Sequence, residues 1–188
     1  MGGADYGTLI GWYRGEIASV YGPLVFGAMT ITGVAGATAG EEEDRILALV
    51  IVGALILALA TWVGLIAGVA AAGGGIGLGN LGALSLHLAF YGVASGAVAL
   101  ALGAGTGRRA LATGGAAAFA IVGYLVNGFA PLVDSIAWLK YFSPFYYHSA
   151  NDPLANGVDV GDLVVLGLFA AALTAVGIVG IRRRDLFA

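Results

Sequence analysis

The sequence predicts an all-α fold, a polytopic transmembrane helix bundle of about five spans with interfacial helices. Three observations carry that expectation. The chain is 60% hydrophobic and only 10% charged, where soluble globular proteins are about 25% charged. Residues 46–72 contain no charged side chain at all, and about 20 apolar residues suffice to cross a bilayer. The apolar runs are also continuous and rich in Ala, Leu, Val and Gly. Barrel strands alternate in polarity instead, and a continuous run in hydrocarbon has to satisfy its backbone within itself, as a helix does.

Taken in order, residues 1–20 form an interfacial segment, because Trp12 and Tyr13 stand beside Arg14 and Glu16, a mixture suited to the headgroup region. The spans follow at about 21–38, 46–72, 81–103, 110–133 and 163–181. The first is the least continuous, interrupted by Pro23 and several Gly and Thr residues. The third and fourth are joined by a tight turn at 104–109. Residues 134–162 make the one long polar stretch, yet they hold Trp138, Tyr141, Phe142, Phe145, Tyr146 and Tyr147. An unstructured loop of that length is rare. Order is therefore expected there, with Pro144 and Pro153 opening short helices near the membrane surface. The whole chain reads as a single domain.

The 33 glycines are adverse to a soluble helix but let membrane helices approach closely. The pairs Gly36/Gly40, Gly64/Gly68 and Gly92/Gly96 have the spacing for such contacts. With no cysteine, disulfides and thiolate metal sites are excluded. A formal charge of −3 gives no reason to expect nucleic acid as a partner; membrane lipid is the expected surroundings. No cleavable signal is read at the N-terminus. If the C-terminus is cytoplasmic, an alternating path puts Arg45, Arg108, Arg109, Arg182, Arg183 and Arg184 on that side. Only Arg14 and Lys140 fall outside, which satisfies the positive-inside rule. The expected location is a prokaryotic plasma membrane, crossed several times. No internal repeat is evident, so dimerisation becomes the natural way to build a central pathway.

Chemistry is sparse. Glu41, Glu42, Glu43 and Asp44 precede Arg45 and the second span. They read either as a solvated turn favouring the following helix dipole or as a docking point for a cytoplasmic partner. His87 and Asn127 lie within spans, where polar side chains face a pathway or another helix. Tyr91 lies one turn from His87 and Tyr124 three residues before Asn127. The alternative for both polar residues is an interhelical hydrogen bond. No Asp or Glu falls inside the expected spans. His148 and Ser149 are adjacent, a spacing that orients nothing by itself. No metal-ligand, nucleophile–base or paired-carboxylate constellation is present, so no catalytic residue, cofactor or metal is expected.

The C-terminal third carries a resemblance. Tyr141-Phe142-Ser143-Pro144-Phe145-Tyr146-Tyr147, then Asp152-Pro153-Leu154-Ala155-Asn156-Gly157, then Arg182-Arg183-Arg184-Asp185-Leu186 after the last span, is similar to the end of permease subunits of ATP-binding-cassette exporters of the second type. Gly40 to Arg45 resembles the acidic segment that this family carries after its second helix. The resemblance implies a permease subunit, paired with a second permease copy and driven by a separate cytoplasmic ATPase. This chain has no Gly-x-x-x-x-Gly-Lys-Ser/Thr loop to hold ATP. ATPase coupling would fall to Glu41, Glu42, Glu43, Asp44 and Arg45, with Arg108 and Arg109 second. Pathway or helix-contact positions would be His87, Tyr91, Tyr124 and Asn127. Two features depart from the family: a counterpart of its first of six helices is missing, and Arg45 runs straight into the next span without a basic coupling helix. The alternative is a non-transporting scaffold or degenerate permease.

Overall fold

The computed structural model describes residues 7–37 and 43–185, and within them the side chains of 9, 35–37, 43–50 and 184–185 are left aside. All elements among the described residues are helical. The first helix is composite: α1 (Leu9–Trp12) passes into a π-helical segment (Tyr13–Tyr21) and then α2 (Gly22–Ala37) without a break. Four more long elements and several short ones follow. They are α3 (Glu43–Ala71), α4 (Leu78–Thr106), α5 (Arg109–Phe129), 3-10 turns at Ala130–Leu132 and Asp134–Phe142, α6 (Pro144–Ser149), α7 (Pro153–Asn156) and α8 (Val160–Asp185). Among the described residues, five helices are long and apolar enough to cross a membrane.

The first span differs from the sequence reading. Instead of an interfacial helix over residues 6–20 followed by a span from Tyr21, one rod is apolar enough to cross over Ile10–Val34. Pro23 does not break it, because the turn before Pro23 has already widened: Gly22 donates its N–H to the carbonyl of Ile17, five residues back. Ser19 follows the same register, its hydroxyl donating to the Arg14 carbonyl at 2.7 Å. Arg14 and Glu16 consequently lie within an apolar span, and Asp162 lies within the last one (Val160–Arg183), so the expectation of spans free of acids needs correcting.

Helix α4 is the axle. Its apolar window is 72% buried, against 11% for α3 and 17% for each of α5 and α8. Small residues make this possible. Gly92 and Gly96 face α2, where an added Cβ would stand 3.2 Å from the methyls of Thr30 and Val34 respectively. On α8, a Cβ at Gly177 would stand 2.7 Å from Leu100, and one at Gly180 would stand 3.2 Å from Ala104. One apolar cluster joins Tyr13, Phe26, Leu65, Leu84, Leu88 and Leu154 towards one end. Another joins Val34, Leu100, Ala104 and Ile181 towards the other.

Helix direction and packing therefore put Arg14, Asn80 and residues 130–159 at one end of the bundle. The 106–109 turn, the start of α3 and Arg182 lie at the opposite end. Of the three glycine pairs, Gly92/Gly96 is a helix contact. Gly68 packs against the Tyr13 hydroxyl, but Gly64 faces open space; Gly36/Gly40 falls outside the described side chains.

Gly96→Ile should lower stability by about 1–3 kcal/mol, the range for overpacking a close contact, whereas Gly64→Ile should change it by less than about 0.5 kcal/mol. Thermal melting of both variants in one detergent checks the contrast.

Candidate functional site

The site grows from one backbone defect. In the π-helical register the carbonyl of Ala18 would accept from residue 23, and residue 23 is proline, which has no N–H to give. The Gly22 N–H is already committed to Ile17. Ala18 is buried, and an unpaired carbonyl in such surroundings costs about 1–3 kcal/mol. Its donor comes from far along the chain: His148 Nε2 lies 2.9 Å from the Ala18 oxygen.

His148 reaches Ala18 because the segment after α5 folds into the bundle instead of lying on its surface. Ser143 caps α6, accepting the Phe145 N–H at 3.1 Å, while its hydroxyl donates to the Gly123 carbonyl of α5 at 2.8 Å. A Cβ at Gly123 would stand 3.0 Å from that hydroxyl oxygen, so α5 has to be bare at this point. Pro144, Phe145 and His148 are all buried. The Phe145 ring lies edge-on between Tyr91 of α4 and Tyr124 of α5, 5.2 Å from each, and His148 packs against Tyr91 and Phe145. Pro144 and Pro153 do open short helices, as their positions predict, but α6 is an inserted wedge.

A second set of ties fixes the segment's far end. Arg14 Nε pairs with the Asp152 carboxylate at 2.8 Å. Both partners are more than a third exposed, so the pair contributes little to stability and serves mainly to set position. Asp152 is the one non-glycine residue with positive φ among the described residues (φ 49°), a conformation that Asp tolerates better than most. It turns the chain into Pro153 and α7. Asn80 of α4 donates to the Leu154 carbonyl at 2.7 Å.

His148 is fully buried, and its two nitrogens both face carbonyl oxygens, Nδ1 lying 2.7 Å from that of Phe145. Burial pushes the imidazole down from 6.5 to about 4; the two carbonyls draw it up and nearby His87 pushes it down further. Both ring nitrogens thus face acceptors, and one of these, the Ala18 carbonyl, has no backbone donor of its own. His87 donates from Nδ1 to the Ala83 carbonyl of its own helix at 2.9 Å, and its buried Nε2 has no hydrogen-bond partner. Tyr91 hydrogen-bonds Ser95.

Three of the four sequence-derived contact positions, His87, Tyr91 and Tyr124, converge on α6. Asn127 does not: its Oδ1 has no hydrogen-bond partner, and the described hydrogen bond of His87 stays within α4. Among the described residues, no hydrogen bond joins His87 or Asn127 to another helix. Ala18 and Gly123 were not singled out by sequence reasoning, and Arg14, Ser143, Phe145, His148 and Asp152 were noted there for charge, aromaticity, resemblance or adjacency but not for these contacts; the adjacency of Pro23 to a helix interior was the available signal. Arg108 and Arg109 are exposed where α5 begins. Glu41 and Glu42 lie outside the described residues. Glu43, Asp44 and Arg45 form the first turn of α3, with side chains likewise outside. Beside the wedge, a cavity of about 170 Å³ opens between Tyr141, Phe142, Pro144 and Tyr147 on one side and Val165, Leu166 and Phe169 of α8 on the other. Its lining is apolar and aromatic. Comparison with protein-family models, curated proteins and solved structures finds no match.

His148→Ala should cost about 1–3 kcal/mol, the penalty for the stranded Ala18 carbonyl. In a Pro23→Ala background, which returns a backbone donor, the same substitution should cost at least about 1 kcal/mol less. Unfolding of the four proteins of this double-mutant cycle in detergent measures the coupling; strict additivity would show that Pro23 does not create the need for His148.

Proposed function

We propose that this chain is a permease subunit of an ATP-driven exporter, set in a prokaryotic plasma membrane with its C-terminus in the cytoplasm. It would form a translocation pathway with a second permease copy, and a separate cytoplasmic ATP-binding-cassette ATPase would supply the hydrolysis. The observation that supports this reading best is the folding of residues 143–157. The two stretches that carry the family resemblance, Ser143 to Tyr147 and Asp152 to Gly157, are seated together at the end of the bundle opposite the arginine-rich turns. That is the order and sidedness the resemblance implies.

Charge supports this orientation. Lys140 and Arg14 stand at the wedge end; Arg108, Arg109, Arg182 and Arg183 stand at the other. The positive-inside rule assigns the second end to the cytoplasm. Coupling to the ATPase then belongs to Glu41, Glu42, Glu43, Asp44 and Arg45 with Arg108 and Arg109. The apolar, aromatic cavity beside α8 favours an amphipathic or apolar cargo. The direct passage from Arg45 into an apolar helix, with no basic coupling helix between, favours a second reading as a non-transporting scaffold.

Pull-down of a co-expressed cassette ATPase separates the two. Capture of the ATPase, with faster turnover in its presence, is the expected outcome. Replacing Glu41, Glu42 and Glu43 together by Gln should weaken capture severalfold, since interface charges govern association, while melting changes by no more than about 1–2 kcal/mol. Equal capture by both proteins would remove the acidic segment from the mechanism. No capture by the wild type would leave the scaffold reading.

A further inference from the structure

We propose that the cavity between the wedge and α8 is the seat of one bound phospholipid with an amine headgroup: an acyl chain enters the cavity, the phosphate meets Lys140 and the ammonium meets Asp162. This deepens the reading of the cavity as a place for an amphiphile, and rests on that reading. It concerns binding alone, so it is tested without an ATPase and stands or falls separately from coupling.

The cavity itself calls for hydrocarbon. Its volume is about 170 Å³, with Tyr141, Phe142 and Tyr147 on one wall and Val165, Leu166 and Phe169 on the other. An apolar cavity near this size stays dry and takes apolar guests. Sites that enclose a whole drug-sized ligand measure about 300–1,000 Å³, so this one holds part of a longer molecule. Phe142 and Val165 are exposed, which leaves the mouth open to the bilayer. Deeper in, Phe169 is held by stacking on Phe119 of α5, their centroids 6.0 Å apart.

The rim supplies one charge of each sign. The Lys140 ammonium stands 5.1 Å from the ring centre of Tyr141 and 5.4 Å from that of Tyr146. Tyr147 donates its hydroxyl to the Tyr141 carbonyl at 2.9 Å, which fixes this aromatic wall. Asp162 lies in the first turn of α8, three and four residues before Val165 and Leu166 and so on their face of the helix. Lys140 and Asp162 both act on Tyr146, yet among the described residues no ion pair joins them. From Asp162 to Phe169 the helix rises about 10 Å. The charges therefore sit at the mouth, and apolar surface runs inward from them. A cation and an anion above an apolar hole are the complement of a zwitterionic headgroup above its chain. Asp159 stands beside Asp162, accepting its N–H at 3.0 Å, and this second acid disfavours a headgroup of net negative charge. A primary ammonium also donates charged hydrogen bonds to a carboxylate, which a quaternary one cannot do.

Native mass spectrometry of the full chain tests the site, with release from micelles holding equal amounts of phosphatidylethanolamine and phosphatidylglycerol. One phosphatidylethanolamine should be retained per chain, favoured over phosphatidylglycerol on the order of fivefold. Val165→Trp sets an indole across the mouth and should lower retention of both lipids about tenfold, the equivalent of two buried methylenes. Lys140→Gln should lower retention of both about threefold. Asp162→Asn should bring the two lipids to within about twofold of each other. Melting in the same detergent shows which variants are folded. Val165 and Lys140 are not buried, so their variants keep the test decisive if Asp162→Asn fails to fold. No retained lipid, or equal retention of the two by the wild type, would overturn the proposal. So would retention by a folded Val165→Trp that matches the wild type.

Discussion

A helix that runs through apolar surroundings has to satisfy its own backbone, and the first helix of this chain fails to do so at one carbonyl. That constraint organises the end of the bundle where residues 130–159 fold. Pro23 removes the donor, the π-helical register commits Gly22 elsewhere, and the resulting vacancy is filled by a histidine delivered on α6. To deliver it, the chain after α5 has to turn back between helices. It therefore needs a bare glycine at 123 for the approach, a serine at 143 to cap the inserted turn, and an aspartate at 152 able to adopt a left-handed turn.

The rest of the bundle is held by closeness. Apolar surface alone drives helices together weakly in lipid, so close packing must do most of it. Gly92 and Gly96, where even an added Cβ would crowd Thr30 and Val34, bring α2 and α4 near enough for many small dispersion gains to add up. The glycines and alanines of α8 do the same on the other side of α4. The axle thus combines small residues at the close approaches with large buried side chains of its own, among them Leu81, Leu84, His87, Leu88 and Tyr91.

Spans were legible because uncharged runs such as residues 46–72 admit one interpretation. The start of the first span was not, since Arg14 and Glu16 lower its apparent hydropathy and the partner of Arg14 lies at Asp152. Order in the 134–162 stretch could be read from its aromatics, and helix starts from Pro144 and Pro153. Its depth of insertion could not, because that depends on a glycine in α5 and a carbonyl in the first helix. Gly64/Gly68 and Gly92/Gly96 have identical spacing, and only three-dimensional neighbours distinguish the open Gly64 from the packed Gly92 and Gly96. His87, Tyr91 and Tyr124 were recognisable as polar or aromatic residues in apolar helices. His148 was visible as a residue but its role was not, since its partner is 130 residues distant.

The burial of α4 bears on how the chain is made. Ser85, His87 and Ser95 sit on a helix that is sheathed by neighbours on most sides, and two of those neighbours, α6 and α8, are synthesised last. During biosynthesis α4 must therefore wait beside the insertion machinery with its polar atoms uncovered. The ribosome has to complete everything from α5 through α8 before that helix can be enclosed. Nonsense or frameshift alleles late in the gene would accordingly strand an inserted, unsheathed α4, a species suited to recognition by membrane quality control.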